Sequence, residues 1–327
     1  MKAVYLERNA VDDGTLSFEP ITSQIETIFY DNTTEENKFE HIGDAEIIFS
    51  NKVTIDEETF KRCPNLKYIG VCATGYNVID VEAARRHNVA VTNVPAYSTE
   101  SVAQLAWGFI LDCACHIGLH NDSVHRGDWV RSEVFCYWLK PIMELAGKTI
   151  GIVGYGNIGR RVAEIAKAFN LRVLVNTAHP EKYTAENTAA GAKAEQGGVS
   201  FVSLDELFRE SDIVTLHCPM TKDTEGMICA ENIAKMKDGV IIINVSRGGL
   251  VVEADLAEAL KSGKVSSAAV DVVCAEPMNE NTPLLTAPNI VITPHIGWAG
   301  LEARKRLINT LAENLRAFLE GRELNRV

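Results

Sequence analysis

Short apolar runs recur along the first hundred residues, at Ala3 to Leu6, Ile25 to Tyr30, Ala45 to Phe49, Tyr68 to Val71 and Val89 to Val91. Polar or helix-patterned stretches separate them, which predicts a small parallel α/β unit. Asp56 to Arg62 and Val81 to His87 read as two of its crossover helices. Ser98 or Thr99 can then cap a long helix, with Glu100 in its first turn and Val102, Ala103, Ala106, Phe109 and Ile110 along one buried face. The first domain crossing is expected there.

A polar, aromatic stretch from Asn121 to Pro141 reads as a loop. A second αβ series starts at Lys148 and continues through Leu171 to Val175, Ile213 to His217, Gly239 to Val245, Ser267 to Asp271 and Ile290 to Thr293. This order predicts a doubly wound parallel sheet, whose ligands sit beyond the carboxyl ends of the strands. Leu301 to Leu319 reads as an amphipathic helix that returns to the first domain. The expected architecture is α/β, with two Rossmann-like or flavodoxin-like domains of doubly wound parallel sheets and a cleft between them. Residues 1–98 plus 299–327 are expected to bind substrate, and residues 99–298 to bind a dinucleotide.

Composition narrows the partners. The 327 residues are 46% hydrophobic and 23% charged, ordinary values for a globular chain of about two domains. Net charge is -12, from 32 Lys and Arg against 44 Asp and Glu, and no basic block interrupts the chain, so nucleic acid is not an expected partner. Charges within the first ten residues and the lack of an apolar run of about 18 residues argue against a secretory signal or membrane span. Eight scattered cysteines without a CxxC pair suit reduced thiols, and a cytoplasmic location is expected.

Candidate chemistry sits at strand ends. Gly154-Tyr155-Gly156-Asn157-Ile158-Gly159 follows an apolar run and opens a helix. In that context Gly154 makes the tight turn, Gly156 lets the backbone approach a pyrophosphate, and Gly159 permits close helix packing. The next strand ends in Asn176, where an acidic residue would bond the adenosine ribose. A neutral amide there does not repel a 2'-phosphate, and Thr177, His179 and Lys182 can meet one, but no arginine is present; NAD is placed ahead of NADP. Arg247, Glu276 and His295 follow later strands, and together they suit hydride transfer to an anionic substrate. Histidine passes a proton near neutral pH, a carboxylate holds it charged, and arginine grips an anion. Taken singly, each has a bland structural alternative.

The motifs resemble the D-2-hydroxyacid dehydrogenase family through nearly the whole chain. They are Val71 to Asp80, Val91 to Gln104, the glycine turn, His217-Cys218-Pro219-Met220-Thr221, Asn244 to Gly249, Asp271 with Glu276-Pro277, and Pro294 to Trp298. Within the family, Ala73 to Asp80, Asn93 to Gln104 and Ser132 to Trp138 are most similar to glycerate dehydrogenases, which are hydroxypyruvate reductases. The resemblance implies that His295 is a general acid toward a 2-oxo acid carbonyl, with Glu276 on its far ring nitrogen. Arg247 would bridge the substrate carboxylate and carbonyl, and backbone amides of Thr74, Gly75 and Tyr76 would hold the carboxylate. Asp271 would accept from the nicotinamide carboxamide. Further cofactor contacts are implied for Asn157, Ile158, Asn176, Thr177, Cys218, Pro219, Thr224, Val245, Ser246 and Gly297. No metal is implied.

The resemblance also implies a homodimer built on the long helix and the following loop. Phe135, Tyr137 and Trp138 would either reach a neighbouring pocket or seal that interface. His116, His120 and His125 offer a metal-like spacing without the acidic residue of HExxH, so a surface or interface role is expected for them. Cys72 is expected to pack rather than attack. Two other functions stay open: a broader 2-oxo acid reductase for branched or aromatic acids, and a dinucleotide-sensing binding protein. Phosphoglycerate and formate dehydrogenases are disfavoured, because no regulatory module follows Val327 and because a glutamate replaces the glutamine that accompanies the histidine in formate dehydrogenases.

Overall fold

The computed structural model describes residues 1–184 and 198–327. It divides into two compact units, one formed by Met1–Ser98 with Trp298–Val327 and the other by Thr99–Gly297. Trp298 packs against the core of the first unit and so belongs with it rather than with the second.

In the first unit, strands β1 (Ala3–Tyr5), β2 (Thr27–Phe29), β3 (Ile47–Ser50), β4 (Tyr68–Val71) and β5 (Ala90–Thr92) form a parallel sheet in the order β2-β1-β3-β4-β5. That is the flavodoxin-like order. The crossover helices Glu57–Arg62 and Val81–Arg86 begin where Asp56 and Asp80 accept hydrogen bonds from the amides of Thr59 and Ala83, at 2.9 and 2.8 Å. Short aspartate side chains satisfy first-turn amides that have no partner within the helix. The Leu301–Leu319 helix packs Leu307, Leu311 and Leu315 onto Tyr5, Phe49 and Tyr68 of this sheet's core.

In the second unit, β6 (Thr149–Val153), β7 (Arg172–Asn176), β8 (Val199–Phe201), β9 (Ile213–Leu216), β10 (Val240–Asn244), β11 (Val265–Val270) and β12 (Ile290–Ile292) form a parallel sheet in the order β12-β11-β10-β9-β6-β7-β8. All residues of β6, β9 and β10 are buried, because helices cover both faces of a doubly wound sheet. The edge strand β8 was not expected; three residues are too few to leave a readable alternation. The order reverses between β6 and β9, and this switch point lies beneath the glycine turn.

The long helix runs over Thr99–Cys115, with Val102, Ala103, Ala106, Phe109 and Ile110 in the core of this unit. His116 breaks it with a left-handed φ of 53°. A second helix, Ile117–His125, follows at a 61° bend and occupies the start of the stretch expected to be a loop from Asn121. His116 and His120 therefore do not share one continuous helix. His120 Nδ1 lies 2.8 Å from the His116 carbonyl, and its Nε2 accepts from the Leu139 amide at 3.1 Å, so the ring brackets the aromatic loop. Among the described residues no single helix is long and apolar enough to cross a membrane, and the apolar face of the Thr99–Cys115 helix is buried in the core of this unit.

Candidate active site

The glycine turn joins β6 to the Asn157–Ala168 helix. Gly154 has φ +97°, and a Cβ there would lie 2.5 Å from the Cys218 amide nitrogen and 2.6 Å from the His217 carbonyl carbon. At Gly159 a Cβ would meet the Gly154 carbonyl oxygen at 2.0 Å. Both positions exclude side chains because backbone, which cannot yield, fills the space. Gly156 differs: its φ is -75° and a Cβ would project into open space. Room kept clear at a helix N-terminus, with backbone amides facing it, fits a dinucleotide pyrophosphate. Asn157 begins the helix and takes a bond from Arg160 Nη2 at 2.6 Å, while Ile158 packs on the core.

Around the rim, Asn176 ends β7 and its amide nitrogen donates to the Val202 carbonyl at 3.1 Å, which leaves Oδ1 as an acceptor. Thr177 and Lys182 follow, and His179 sits 3.1 Å from the Glu181 carboxylate. At the end of β9, His217 has Nε2 2.9 Å from Thr215 Oγ1, while its Nδ1 is sealed from solvent with no partner among the described residues. Burial holds this imidazole down, to about 3, so it is neutral at any working pH. Cys218 is buried and its thiol is pushed up to about 11 by burial, which suits packing. Thr224 Oγ1 donates to the Pro219 carbonyl at 2.8 Å and stabilises that loop.

Beyond β10, Val245 is buried and Ser246 Oγ donates to the Cys218 carbonyl at 2.5 Å, tying two strand ends together. Asn244 is completely buried and shapes the turn that presents Arg247. Its Oδ1 accepts from the Ser246 amide at 3.0 Å and its Nδ2 donates to the Arg247 carbonyl at 2.8 Å. The exposed Arg247 guanidinium donates from Nη1 to the Ser246 carbonyl at 2.7 Å and pairs with no carboxylate among the described residues. It is thus available to an anion.

His295 and Glu276 meet. Nδ1 of His295 lies 2.7 Å from Glu276 Oε2, with each side chain about one-third exposed. Glu276 Oε1 accepts from the Val273 amide at 3.2 Å. A carboxylate on Nδ1 places the proton there and leaves Nε2 as the ring atom for chemistry. The histidine backbone is left-handed, with φ 56°. Asp271 sustains that unusual loop: its carboxylate, 2% exposed, accepts from Thr293 Oγ1 at 2.5 Å, the Ile296 amide at 2.8 Å and the Gly297 amide at 2.7 Å. Ser101 Oγ donates to the Gly297 carbonyl at 2.6 Å.

The Thr74-Gly75-Tyr76 loop follows β4 in the first unit. Thr74 Oγ1 donates to the Val94 carbonyl at 2.8 Å and the Thr74 carbonyl accepts from Asn93 Nδ2 at 2.7 Å, while Tyr76 is exposed. Nearby Cys72 is buried, and burial pushes its thiol far above the ordinary range, so it remains a packed thiol. In the aromatic loop, Phe135 and Trp138 are 88% and 68% exposed, whereas Tyr137 Oη lies 2.9 Å from Ser123 Oγ.

With this geometry in view, comparison with known proteins is decisive. Residues 107–297 match the family model of the D-isomer specific 2-hydroxyacid dehydrogenase, NAD binding domain. The chain belongs to this family. A hydroxypyruvate reductase of Blautia hydrogenotrophica is 44% identical, covering 99% of each chain. A glycerate dehydrogenase of Methylorubrum extorquens is 37% identical, covering 99% of this chain and 98% of the relative. Among solved structures, the TT0316 protein of Thermus thermophilus superposes with a TM-score of 0.83 at 32% identity, covering all of both chains. The D-2-hydroxyacid dehydrogenase chain is therefore an NAD(P)-dependent oxidoreductase. Its resemblance was legible in the motifs, but Asn244 and the brace at Asp271 were not assigned positioning roles. An asparagine three residues before Arg247, at a strand end, is an Asx-turn signal that marks the first.

Proposed function

We propose that this enzyme reduces a small 2-oxo acid, hydroxypyruvate or glyoxylate, to the D-2-hydroxy acid, with NADH preferred to NADPH. The observation that carries the reading is the His295–Glu276 pair at 2.7 Å, in the same unit as a glycine turn kept open at Gly156 and an Arg247 guanidinium available to an anion. The names of the Blautia and Methylorubrum relatives support this substrate class.

When bound, the nicotinamide supplies the hydride that reaches the carbonyl carbon. Protonated His295 gives the Nε2 proton to the carbonyl oxygen, and Glu276 stabilises the charge that the ring carries before transfer. Arg247 grips the substrate carboxylate and counters charge growing on the carbonyl oxygen. Asp271 Oδ2, which among the described residues accepts from the Gly297 amide alone, retains a lone pair for the nicotinamide carboxamide. Asn176 Oδ1 suits a ribose hydroxyl, and the Glu181 carboxylate beside His179 disfavours a 2'-phosphate. Asn157, Ile158, Thr177, Cys218, Pro219, Thr224, Val245, Ser246 and Gly297 line the proposed dinucleotide path. The exposed Phe135 and Trp138 side chains support a homodimer formed through the aromatic loop.

Steady-state rates for hydroxypyruvate, glyoxylate, pyruvate and 2-oxoisocaproate, each with NADH and NADPH, test the assignment. A hundredfold preference for the branched acid would overturn the substrate. His295→Gln is expected to retain NADH binding and lower turnover by about 10²- to 10⁴-fold. Full activity in that variant removes the acid role.

A further inference from the structure

Glu276 lies on a loop, not on a strand or helix, yet its carboxylate must stay within hydrogen-bond reach of His295. Val273 and Met278 rest on the core at either end, and the Cys274 thiol reaches the Val251 carbonyl at 3.6 Å, but the residues between them are not packed. Cys274, Ala275, Glu276 and Pro277 are exposed, and the segment borders a cavity of about 240 Å³ lined by Glu253, Val273, Met278 and Thr282. Hydrogen bonds add the hold that this exposed middle lacks. Glu253, the first residue of the Glu253–Ser262 helix, accepts from the Cys274 amide through Oε1 at 2.8 Å and from Thr282 Oγ1 through Oε2 at 2.5 Å. One carboxylate thus joins both stems of the segment that carries Glu276. Next to the anchored Cys274 amide, the Val273 amide donates to Glu276 Oε1 at 3.2 Å. Gly248 adds the floor: a Cβ there would lie 2.0 Å from the Val273 carbonyl carbon, so this stem rests on backbone.

We infer that Glu253 is a positioning residue for the reaction, clamping the Cys274–Thr282 loop so that the Glu276 carboxylate stays on His295 Nδ1. The inference rests on the reading of His295 and Glu276 as the proton-donating pair. A carboxylate at a helix N-terminus has a ready structural explanation in the helix dipole. Here, however, both oxygens serve partners outside the helix, 21 and 29 positions along the chain. Other ionisable groups around the pair in this unit are Asp271 beneath the Ile296 and Gly297 amides, Arg247 beyond β10, and Cys274 itself. The Cys274 thiol, pushed up to about 11 first by burial and then by Glu253, stays protonated and does not compete as an anion.

The test uses the full enzyme and reads turnover, NADH affinity and the downfield proton resonance of the His295 Nδ1–Glu276 hydrogen bond in histidine-labelled protein. Glu253→Ala is expected to lower kcat about 10- to 100-fold, leave the NADH dissociation constant within about twofold and weaken or abolish the resonance. Glu253→Gln is expected to rescue both, because its oxygen accepts from Cys274 while its NH₂ donates to Thr282. In a Glu276→Gln background, Glu253→Ala is expected to add no further loss of kcat. Wild-type kcat and resonance in Glu253→Ala, even with a lowered melting temperature, overturn the inference. If Glu253→Ala does not fold, Glu253→Asp is read in its place: its shorter side chain cannot span both stems, so wild-type kcat overturns the inference and a similar loss supports it. Wild-type turnover in Glu276→Gln alone overturns the reading of the proton-donating pair, a separate outcome from failure at Glu253.

Discussion

Replacing His217 by glutamine is expected to flatten the acid side of the protein's stability profile. The imidazole sits at the switch point of the seven-stranded sheet, with Nε2 on Thr215 Oγ1 and Nδ1 sealed without an acceptor among the described residues. Protonation there would create a buried charge with an orphan donor, and burial accordingly holds the folded value at about 3, against 6.5 for an unperturbed ring. Between those values the unfolded chain binds the proton and the folded chain does not, so stability rises with pH across this window. The contribution is fully present above about pH 6.5 and is lost as pH falls below it. At pH 5 the folded ring is neutral and the unfolded ring almost wholly protonated, which costs about 2 kcal/mol relative to pH 7.5.

Glutamine reaches the Nε2 position, retains a partner for Thr215 and does not titrate. Urea or thermal unfolding of both proteins at pH 7.5 and pH 5 therefore isolates the ring as a difference of differences. Acid-sensitive carboxylates elsewhere, such as Asp12 and Asp56, whose values are lowered in the folded state, act equally in both chains and cancel. The pH-dependent loss is expected to be about 2 kcal/mol smaller in His217→Gln, or about 4–8 °C in Tm for a unit of this size. Equal losses within about 0.5 kcal/mol refute the buried neutral histidine. The point bears on cofactor binding as well, since the His217 backbone lies against the Gly154 turn.

Gly156→Ala and Gly159→Ala are expected to separate binding from folding. A methyl group at Gly156 enters open space, so Tm stays within about 1 °C while the NADH dissociation constant rises about tenfold or more; at Gly159 it strikes the Gly154 carbonyl, costing about 3 kcal/mol or more and about 6–12 °C in Tm. Unchanged NADH affinity in Gly156→Ala contradicts the assigned phosphate path. For the proposed homodimer, sedimentation velocity at micromolar concentration is expected to give a dimer for the native chain and a monomer after Phe135→Ser with Trp138→Ser; a native monomer refutes it.

Much of the site was legible because its parts are local. The glycine turn, Arg247 after an apolar strand, and His295 after another each carry their meaning within a few residues. The break at His116 was harder to see, since apolar positions continue past it into the Ile117–His125 helix; the left-handed residue and the 61° bend leave no interruption in the pattern. Strand β8 escaped for the opposite reason, having too few residues to show a period.

By itself the sequence determined the α/β class, both runs of strands, the dinucleotide turn and the residue types at the strand ends, because periodicity and turn chemistry are properties of neighbouring residues. Only the tertiary structure decided which polar groups support them. Asn244 beneath Arg247 spans a short turn, but Asp271 reaches Ile296 and Gly297, and Glu253 reaches Cys274 and Thr282, across 21 to 29 positions. Such pairings exist only after adjacent parallel strands and their connections place distant amides on one rim, and no local pattern encodes the direction of a side chain across that distance.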